Sequence, residues 1–191
     1  MNIFKKFFIL FTSNDNKSSF NDYRKAIFES ASKSENRLYG TFSIEGFHCV
    51  FNEILNNSQL ELIIFIKNFD SIFDEALFNY FELICSKFEK RSNKIEIYTF
   101  DGNVEHRFKE LSQKYDCVFY QPLCVKTGGE AQNFIVSDRK SYWLEEVITT
   151  QIRNNLNENC FIKGCVNFYD INKSFDLLNY INEIKQNILK K

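Results

Sequence analysis

The chain has few histidines and lacks the closely spaced cysteine pairs that zinc sites use. Histidine occurs only twice, as His48 and His106, and the six cysteines never form a Cys-x-x-Cys pair. Zinc sites usually draw their ligands from such closely spaced pairs. We therefore expect no metal and no cofactor, and we expect the cysteines to be free thiols in a reducing compartment.

Neither sign of charge dominates, and no apolar run is long. Lysine plus arginine number 24 and aspartate plus glutamate 25, which gives a formal net charge of −1. The chain thus lacks the overall positive field that attracts nucleic acid non-specifically, so any nucleic-acid binding would need a local patch. No stretch is long enough to span a bilayer, and we expect no integral membrane segment.

The N-terminus is basic and then apolar between Met1 and Thr12. A secretory signal peptide begins in the same way, but here the apolar run Phe7–Phe11 is short and no small-residue cleavage site follows it. We predict a cytoplasmic protein in which this segment packs against the domain, mediates dimerisation or contacts a membrane surface weakly.

The 191 residues, 44% of them hydrophobic, suffice for one compact core. We assign residues 1–36 to the N-terminal apolar segment and a helix, and residues 37–191 to one α/β domain. Apolar periodicity predicts helices at Phe20–Ala31, Phe47–Asn56, Ser71–Glu89, Val104–Tyr115, Glu146–Leu156 and Ser174–Leu189. It predicts strands at Leu60–Ile66, Ile95–Thr99, Cys117–Tyr120, Asn133–Asp138, Tyr142–Glu145 and Phe161–Tyr169. Because helices and strands alternate, we expect parallel neighbouring strands joined by right-handed crossovers.

The segment from Glu130 to Glu145 has the outline of an active-site strand. An apolar run ends at Asp138, and the positions seven and five residues before it are Ala131 and Asn133. This spacing resembles the His-x-Lys-x-x-x-x-Asp signature of the phospholipase D superfamily. The resemblance implies a nucleophile at position 131 and a phosphate-binding lysine at position 133, and neither alanine nor asparagine can do that work.

A second element supports the resemblance, which covers roughly residues 37–188. The run Gly164–Asp170 resembles the Gly-Ser-x-Asn-Phe element of the same superfamily, with Asn167 at the position of the asparagine and Cys165 in place of the small polar residue. The resemblance implies an α/β fold with a single phospholipase-D-like domain, in which a mixed, mostly parallel sheet is flanked by helices on both faces. It also implies a cleft at the interface of two such units.

These observations favour a catalytically inactive phospholipase-D-like domain. We expect it to act as a binding or assembly component of a bacterial multiprotein system, as a homodimer with a protein partner, and with nucleic acid as a candidate ligand. The residues expected to bind are Lys126, Asn133, Asp138, Arg139, Lys140, Tyr142 and Asn167. The glycines after Lys126 could form an anion-binding nest or a simple flexible turn.

Two alternatives remain open at this point. The first is a nuclease or phosphodiesterase with a rearranged site, in which Asp138, Glu145 and Lys126, together with Glu146, converge at the strand ends. The second is an unrelated doubly wound domain whose match to the signature is chance.

Overall fold

The structure is a computed structural model that describes residues 16–41, 43–66, 75–100, 105–123, 132–145 and 164–189. Its helices are α1 (Asn16–Lys33), α2 (Ile44–Asn57), α3 (Glu75–Lys90), α4 (His106–Lys114) and α5 (Ile171–Leu189). Its strands are β1 (Leu38–Thr41), β2 (Glu61–Ile66), β3 (Lys94–Phe100), β4 (Val118–Leu123), β5 (Phe134–Ser137), β6 (Ser141–Glu145) and β7 (Gly164–Asn167).

The seven strands form one mixed sheet in the order β1-β7-β6-β5-β2-β3-β4. Strands β2, β3 and β4 are parallel neighbours, as the alternation of elements predicted. The other four of the six pairings are antiparallel. The sheet is therefore mixed, as expected, but most of its pairings are antiparallel and not parallel. One reason is the turn of residues 138–140 between β5 and β6, because so short a connection can join only antiparallel strands.

Helices cover both faces of the sheet, as expected. On one face, Leu62 and Ile64 of β2 belong to a core that also contains buried side chains of α1, α2, α3 and α4. On the other face, Ile63 and Phe65 pack in a second core with Leu177 and the following apolar residues of α5. Because β2 is covered on both sides, it is an almost continuous apolar run, as central strands usually are.

Most predicted elements are present among the described residues, with ends that differ by a few positions. The prediction missed strand β1, which has only four residues, one of them Gly40, and so offers too short an alternation to recognise. The predicted helix Glu146–Leu156 and the apolar segment Ile3–Phe11 lie outside the described residues. The domain boundary at residue 36 stays a prediction, although Ile27 and Ala31 of α1 are buried in the same core as α2.

No helix in the described ranges is both long and apolar enough to cross a bilayer. The four cysteines within those ranges, Cys49, Cys85, Cys117 and Cys165, are free thiols. Burial raises the pKa of Cys49 and of Cys117 to about 11, so both thiols are protonated at neutral pH.

A polar cluster joins the C-terminal half of α5 to β3. Lys185 forms an ion pair with Glu96 at 3.5 Å and also donates to the hydroxyl of Tyr98. Lys94 and Tyr98 contact the same carboxylate of Glu96. Burial alone would raise the pKa of Glu96, but the hydrogen bonds from Lys94 and Tyr98 and the charge of Lys185 outweigh it, and the pKa is lowered.

We expect this cluster to make stability fall in acid. A carboxyl group whose folded pKa is lowered stabilises the fold above its ordinary pKa of about 4.5, and the contribution is lost as the pH falls through the lowered value. Urea unfolding of the native chain and of Glu96→Gln at a series of pH values should give a difference of the order of 1 kcal/mol near neutrality that shrinks toward zero in acid. A difference that does not change with pH would contradict this account of Glu96.

Candidate functional site

The segment that resembles the phospholipase D signature forms the β5–β6 hairpin in the middle of the sheet. Strand β5 pairs with β2 on one side and β6 on the other, and all four of its residues are buried. Phe134 and Val136 lie in the core beneath α5, whereas Ile135 lies in the core on the opposite face. The side chains of β5 thus alternate between the two faces of the sheet, and both faces are covered.

The hairpin turns at Asp138 and Arg139, and we call this region the Asp138 end. Both residues have positive φ angles, 51° and 56°, and the amide of Lys140 donates to the carbonyl of Ser137 at 3.1 Å. The turn is a three-residue connection, residues 138–140, between the paired residues Ser137 and Ser141. Aspartate tolerates this conformation well, whereas arginine is an unusual occupant of it.

The carboxylate of Asp138 accepts hydrogen bonds from three consecutive backbone amides. Its oxygens lie 2.9 Å from the amide nitrogens of Gln59 and Leu60 and 3.1 Å from that of Glu61, and the Asp138 amide donates back to the Glu61 carbonyl at 3.0 Å. The contact fastens the loop before β2 to the hairpin.

The next two residues of the turn also contact neighbouring elements. Arg139 pairs with Glu61 at 2.5 Å, in a pair that is largely exposed on the arginine side. The carbonyl of Lys140 accepts from the amide of Asp170 at 2.7 Å, and the hydroxyl of Ser141 donates to the carbonyl of Phe168 at 2.8 Å. The Asp138 end is thus bound to the junction of β7 and α5.

Tyr142 and Asn167 also lie toward the Asp138 end, where they are paired across β6 and β7. Tyr142 is 4% exposed and packs in the core beneath α5, where burial raises the pKa of its hydroxyl. Asn167 donates to Asn36 at 2.8 Å and accepts from the amide of Tyr169 at 2.9 Å. In these positions both side chains hold the fold together.

The opposite end of the hairpin, which we call the Asn133 end, joins an amide to a carboxylate. Asn133 is 4% exposed, and its side-chain nitrogen donates to Glu145 at 2.7 Å. Its backbone nitrogen lies 3.3 Å from the same carboxylate oxygen, and the Glu145 amide donates to the Asn133 carbonyl at 2.9 Å. Because β5 is antiparallel to β2, this end lies at the carboxyl ends of the parallel strands, where open α/β sheets usually bind ligands.

Trp143 supports the Asn133 end from within the core. Its indole nitrogen donates to the hydroxyl of Thr41 at 3.0 Å, and its ring lies 4.6 Å from that of Phe47. Gly164 faces Leu144 and Trp143 so closely that a Cβ atom there would meet the Leu144 carbonyl oxygen and the indole at 2.7 Å.

The structure separates the residues that the sequence led us to group together. Asn133 and Glu145 lie at one end of the hairpin, and Asp138, Arg139, Lys140, Tyr142 and Asn167 lie toward the other. At roughly 3.4 Å per residue, the Cα atoms of Asn133 and Asp138 are about 17 Å apart. The expected convergence of Asp138 with Glu145 is therefore wrong, because strand β5 runs between them. Lys126, Ala131 and Glu146 lie outside the described residues, so their part in the expected site stays a prediction.

The two histidines lie on helices. His48 lines a groove between α1 and α2, and His106 is the exposed first residue of α4. Strand β3, which precedes α4, is separated from β5 by β2, so about two strand spacings or 10 Å divide them. Within the described part of the chain, no three histidine, cysteine, aspartate or glutamate side chains gather as metal ligands.

The sequence interpretation missed Glu61 and the loop that precedes it as partners of the signature. These contacts join residues 77 to 79 positions apart, which no local pattern could indicate. The pairing of Asn133 with Glu145 carried a usable signal, since a three-residue connection at positions 138–140 sets Ser137 opposite Ser141 and therefore Asn133 opposite Glu145.

Comparison with known proteins identifies the fold. No protein-family model matches the chain, and no curated protein matches it. Its structure is similar to TrmBL2, an archaeal chromatin protein described as binding DNA in a novel mode, with a TM-score of 0.57 and 14% identity over 90% of this chain and 62% of that one. It is also similar to Nuc, a phospholipase D family member from Salmonella typhimurium, with a TM-score of 0.56 and 10% identity over 80% of this chain and 95% of that one.

A third similar structure is phosphatidylserine synthase from Haemophilus influenzae Rd KW20, with a TM-score of 0.48 and 12% identity over 79% of this chain and 38% of that one. Identities this low establish the fold alone. The chain has a phospholipase-D-like α/β fold, and it spans less than two thirds of the archaeal chromatin protein.

Proposed function

We propose that this chain is a catalytically inactive phospholipase-D-like domain that acts by binding, as a homodimer within a larger assembly. The observation that carries the proposal is the pair of Asn133 and Glu145 at the carboxyl ends of the parallel strands. In the family that the sequence resembles, the position of Asn133 is a lysine that binds phosphate. Here a neutral amide occupies it, with a carboxylate 2.7 Å away.

Electrostatics argues against a phosphodiester substrate at this end. A lysine would attract a phosphate oxygen, whereas the carboxylate of Glu145 repels it, and in a partly buried site this repulsion is weakly screened. The retained aspartate does not compensate. Asp138 lies at the other end of the hairpin, where its oxygens accept three backbone amides. Asp138, which the chain keeps from the signature, thus stabilises the fold. The histidine and lysine of the signature, which would take part in the reaction, are replaced at positions 131 and 133.

The alternative of a rearranged nuclease site is less well supported. Asp138 and Glu145 lie at opposite ends of β5 and cannot act on one phosphate. Such a site would have to use Glu145 together with groups from outside the described residues. Our proposal therefore does not need a catalytic role for any residue of the hairpin.

Nucleic acid is the candidate ligand that we favour. The chain shares its fold with an archaeal chromatin protein described as binding DNA. Arg139 and Lys140 provide positive charge in an accessible turn, although Glu61 neutralises part of it. Because the formal net charge of −1 provides no overall positive field to attract nucleic acid, we expect binding to be weak and strongly reduced by salt.

Fluorescence anisotropy with a labelled single strand and the matching duplex, at low and at physiological salt, tests this ligand. We expect binding at low salt that weakens about tenfold or more when Arg139 and Lys140 are both changed to glutamate. Lys109→Glu on the exposed side of α4 is the matched control and should change the affinity much less. If no oligonucleotide binds at low salt, nucleic acid is the wrong ligand and a protein partner takes its place.

A further inference from the structure

A groove of about 520 Å³ lies between α1 and α2. Its α1 wall includes Phe20, Arg24 and Phe28, which recur every four residues. Its α2 wall includes Cys49 and Asn52. The groove is therefore formed by one stripe from each helix.

The groove has features of an unfilled contact surface. Phe28, which lines the groove two turns along α1 from Phe20, is 58% exposed. The side-chain oxygen of Asn52 is buried and has no hydrogen-bond partner among the described residues. A buried acceptor without a donor costs free energy, so a chain segment in the groove that brought an N–H group would satisfy it.

The sequence just before α1 supplies a matching occupant. Four phenylalanines, Phe4, Phe7, Phe8 and Phe11, have the spacing of the apolar stripe of a helix. The lining charges of the groove balance, Arg24 and Lys25 against Glu45 and Glu53, so they do not oppose Lys5 and Lys6, which lie between the phenylalanines. Peptide segments with such a stripe commonly bind in grooves between helices.

Connectivity favours this segment over a partner from solution. Only residues 12–15 separate Phe11 from Asn16, the first residue of α1, and the groove begins one turn later at Phe20. Four linker residues can span up to about 14 Å, and the distance along α1 from Phe20 to Phe28 is about 12 Å. A segment tethered so close has a high effective concentration at the groove.

We propose that residues Ile3–Phe11 bind in the groove between α1 and α2 of their own chain. The phenylalanines then cover Phe20 and Phe28 and exclude water from Cys49. This inference is independent of the ligand proposed for the domain, because none of the residues that line the groove belongs to the hairpin.

The thiol of Cys49 provides the test, because it lines the groove. The full chain, a variant that lacks Met1–Asn14 and the point variant Phe8→Asp are treated with N-ethylmaleimide, and modification of each cysteine is followed by mass spectrometry of its peptide. We expect Cys49 to react about tenfold faster in both variants than in the full chain. Cys117, which lies far from α1 in the fold and donates to the Cys85 carbonyl, is the control and should react at an unchanged rate.

Cys85 distinguishes exposure of the groove from unfolding. It is fully buried on α3, so it reacts only if a variant loses the fold. If Cys85 does react, the reaction of Phe8→Asp is repeated at a lower temperature at which Cys85 is protected. Equal rates at Cys49 in all three proteins, with Cys85 protected, would overturn the proposal.

A crosslink identifies which chain supplies the segment. In Phe8→Cys, a short bis-maleimide should join positions 8 and 49 within one chain, seen as a crosslinked peptide pair from material that migrates as a monomer. The same pair found only in covalent dimers would overturn the proposal in favour of exchange between two copies.

Discussion

Replacing Gly164 with alanine is expected to lower the free energy of unfolding by about 3 kcal/mol. The added Cβ would lie 2.7 Å from the Leu144 carbonyl oxygen and 2.7 to 2.8 Å from two atoms of the Trp143 indole, closer than real Cβ contacts come. The indole cannot move aside easily. It is 1% exposed, bonded to Thr41 and packed on Phe47, so relief must come from shifting β6 or β7.

Urea unfolding of Gly164→Ala measures this effect, and Gly46→Ala is the matched control. Gly46 lies near the start of α2, where a Cβ would be 3.5 Å from the Ser43 hydroxyl, an ordinary contact. Alanine favours the helix there, so that variant should be as stable as the native chain or up to about 1 kcal/mol more stable. If Gly164→Ala were as stable as Gly46→Ala, the close packing of β7 on Trp143 would be wrong.

Replacing Asp138 with alanine should cost about 2–3 kcal/mol, because three backbone amides lose their acceptor. Two of these amides are near solvent, where water can replace part of the bond, which keeps the cost below three full hydrogen bonds. Alanine also tolerates a φ of 51° less well than aspartate does. Asp138→Asn keeps one carbonyl acceptor and the tolerance of this conformation, so it should lose about half as much.

Asp138→Gly separates the two causes. Glycine adopts the turn without strain but supplies no acceptor, and it should be about 1 kcal/mol more stable than the alanine variant. Asp176→Ala, an exposed position on α5, is the control and should stay within about 0.5 kcal/mol of the native chain. Hydrogen exchange should also show reduced protection at Leu60 and Glu61 in Asp138→Ala. Unchanged stability with unchanged protection would mean that the loop is held by other contacts.

Local patterns predicted the central strands well and the sheet topology less well. Strand β2 is an unbroken apolar run because both of its faces are covered, and the run was recognisable without knowing what covers it. The partners of β5 were not recognisable in this way. It lies between β2, which is 68 or more positions earlier in sequence, and β6, which follows at once, and only the hairpin is a local feature.

The same difference between local and long-range contacts applies to the candidate site. Asn133 and Glu145 lie just beyond the paired residues Phe134 and Leu144, so the register of the hairpin brings them together. The loop before β2 reaches Asp138 only because β2 and β5 are neighbours in the folded sheet, which the sequence does not state. We grouped Asp138 with Glu145 because each residue ends an apolar run. The two strands are antiparallel, however, so their C-terminal ends lie at opposite edges of the sheet.

Phosphodiester hydrolysis tests the central claim most directly, namely that a phospholipase-D-like fold here carries no catalytic site. Initial rates are measured with bis(p-nitrophenyl) phosphate, DNA, RNA and phosphatidylcholine vesicles, for the native chain and for Glu145→Gln, which keeps the shape of the side chain and removes its charge. We predict no product above the buffer blank for either protein with any substrate. Turnover by the native chain that disappears in Glu145→Gln, while that variant remains folded, would contradict the account and support a rearranged active site at the Asn133 end.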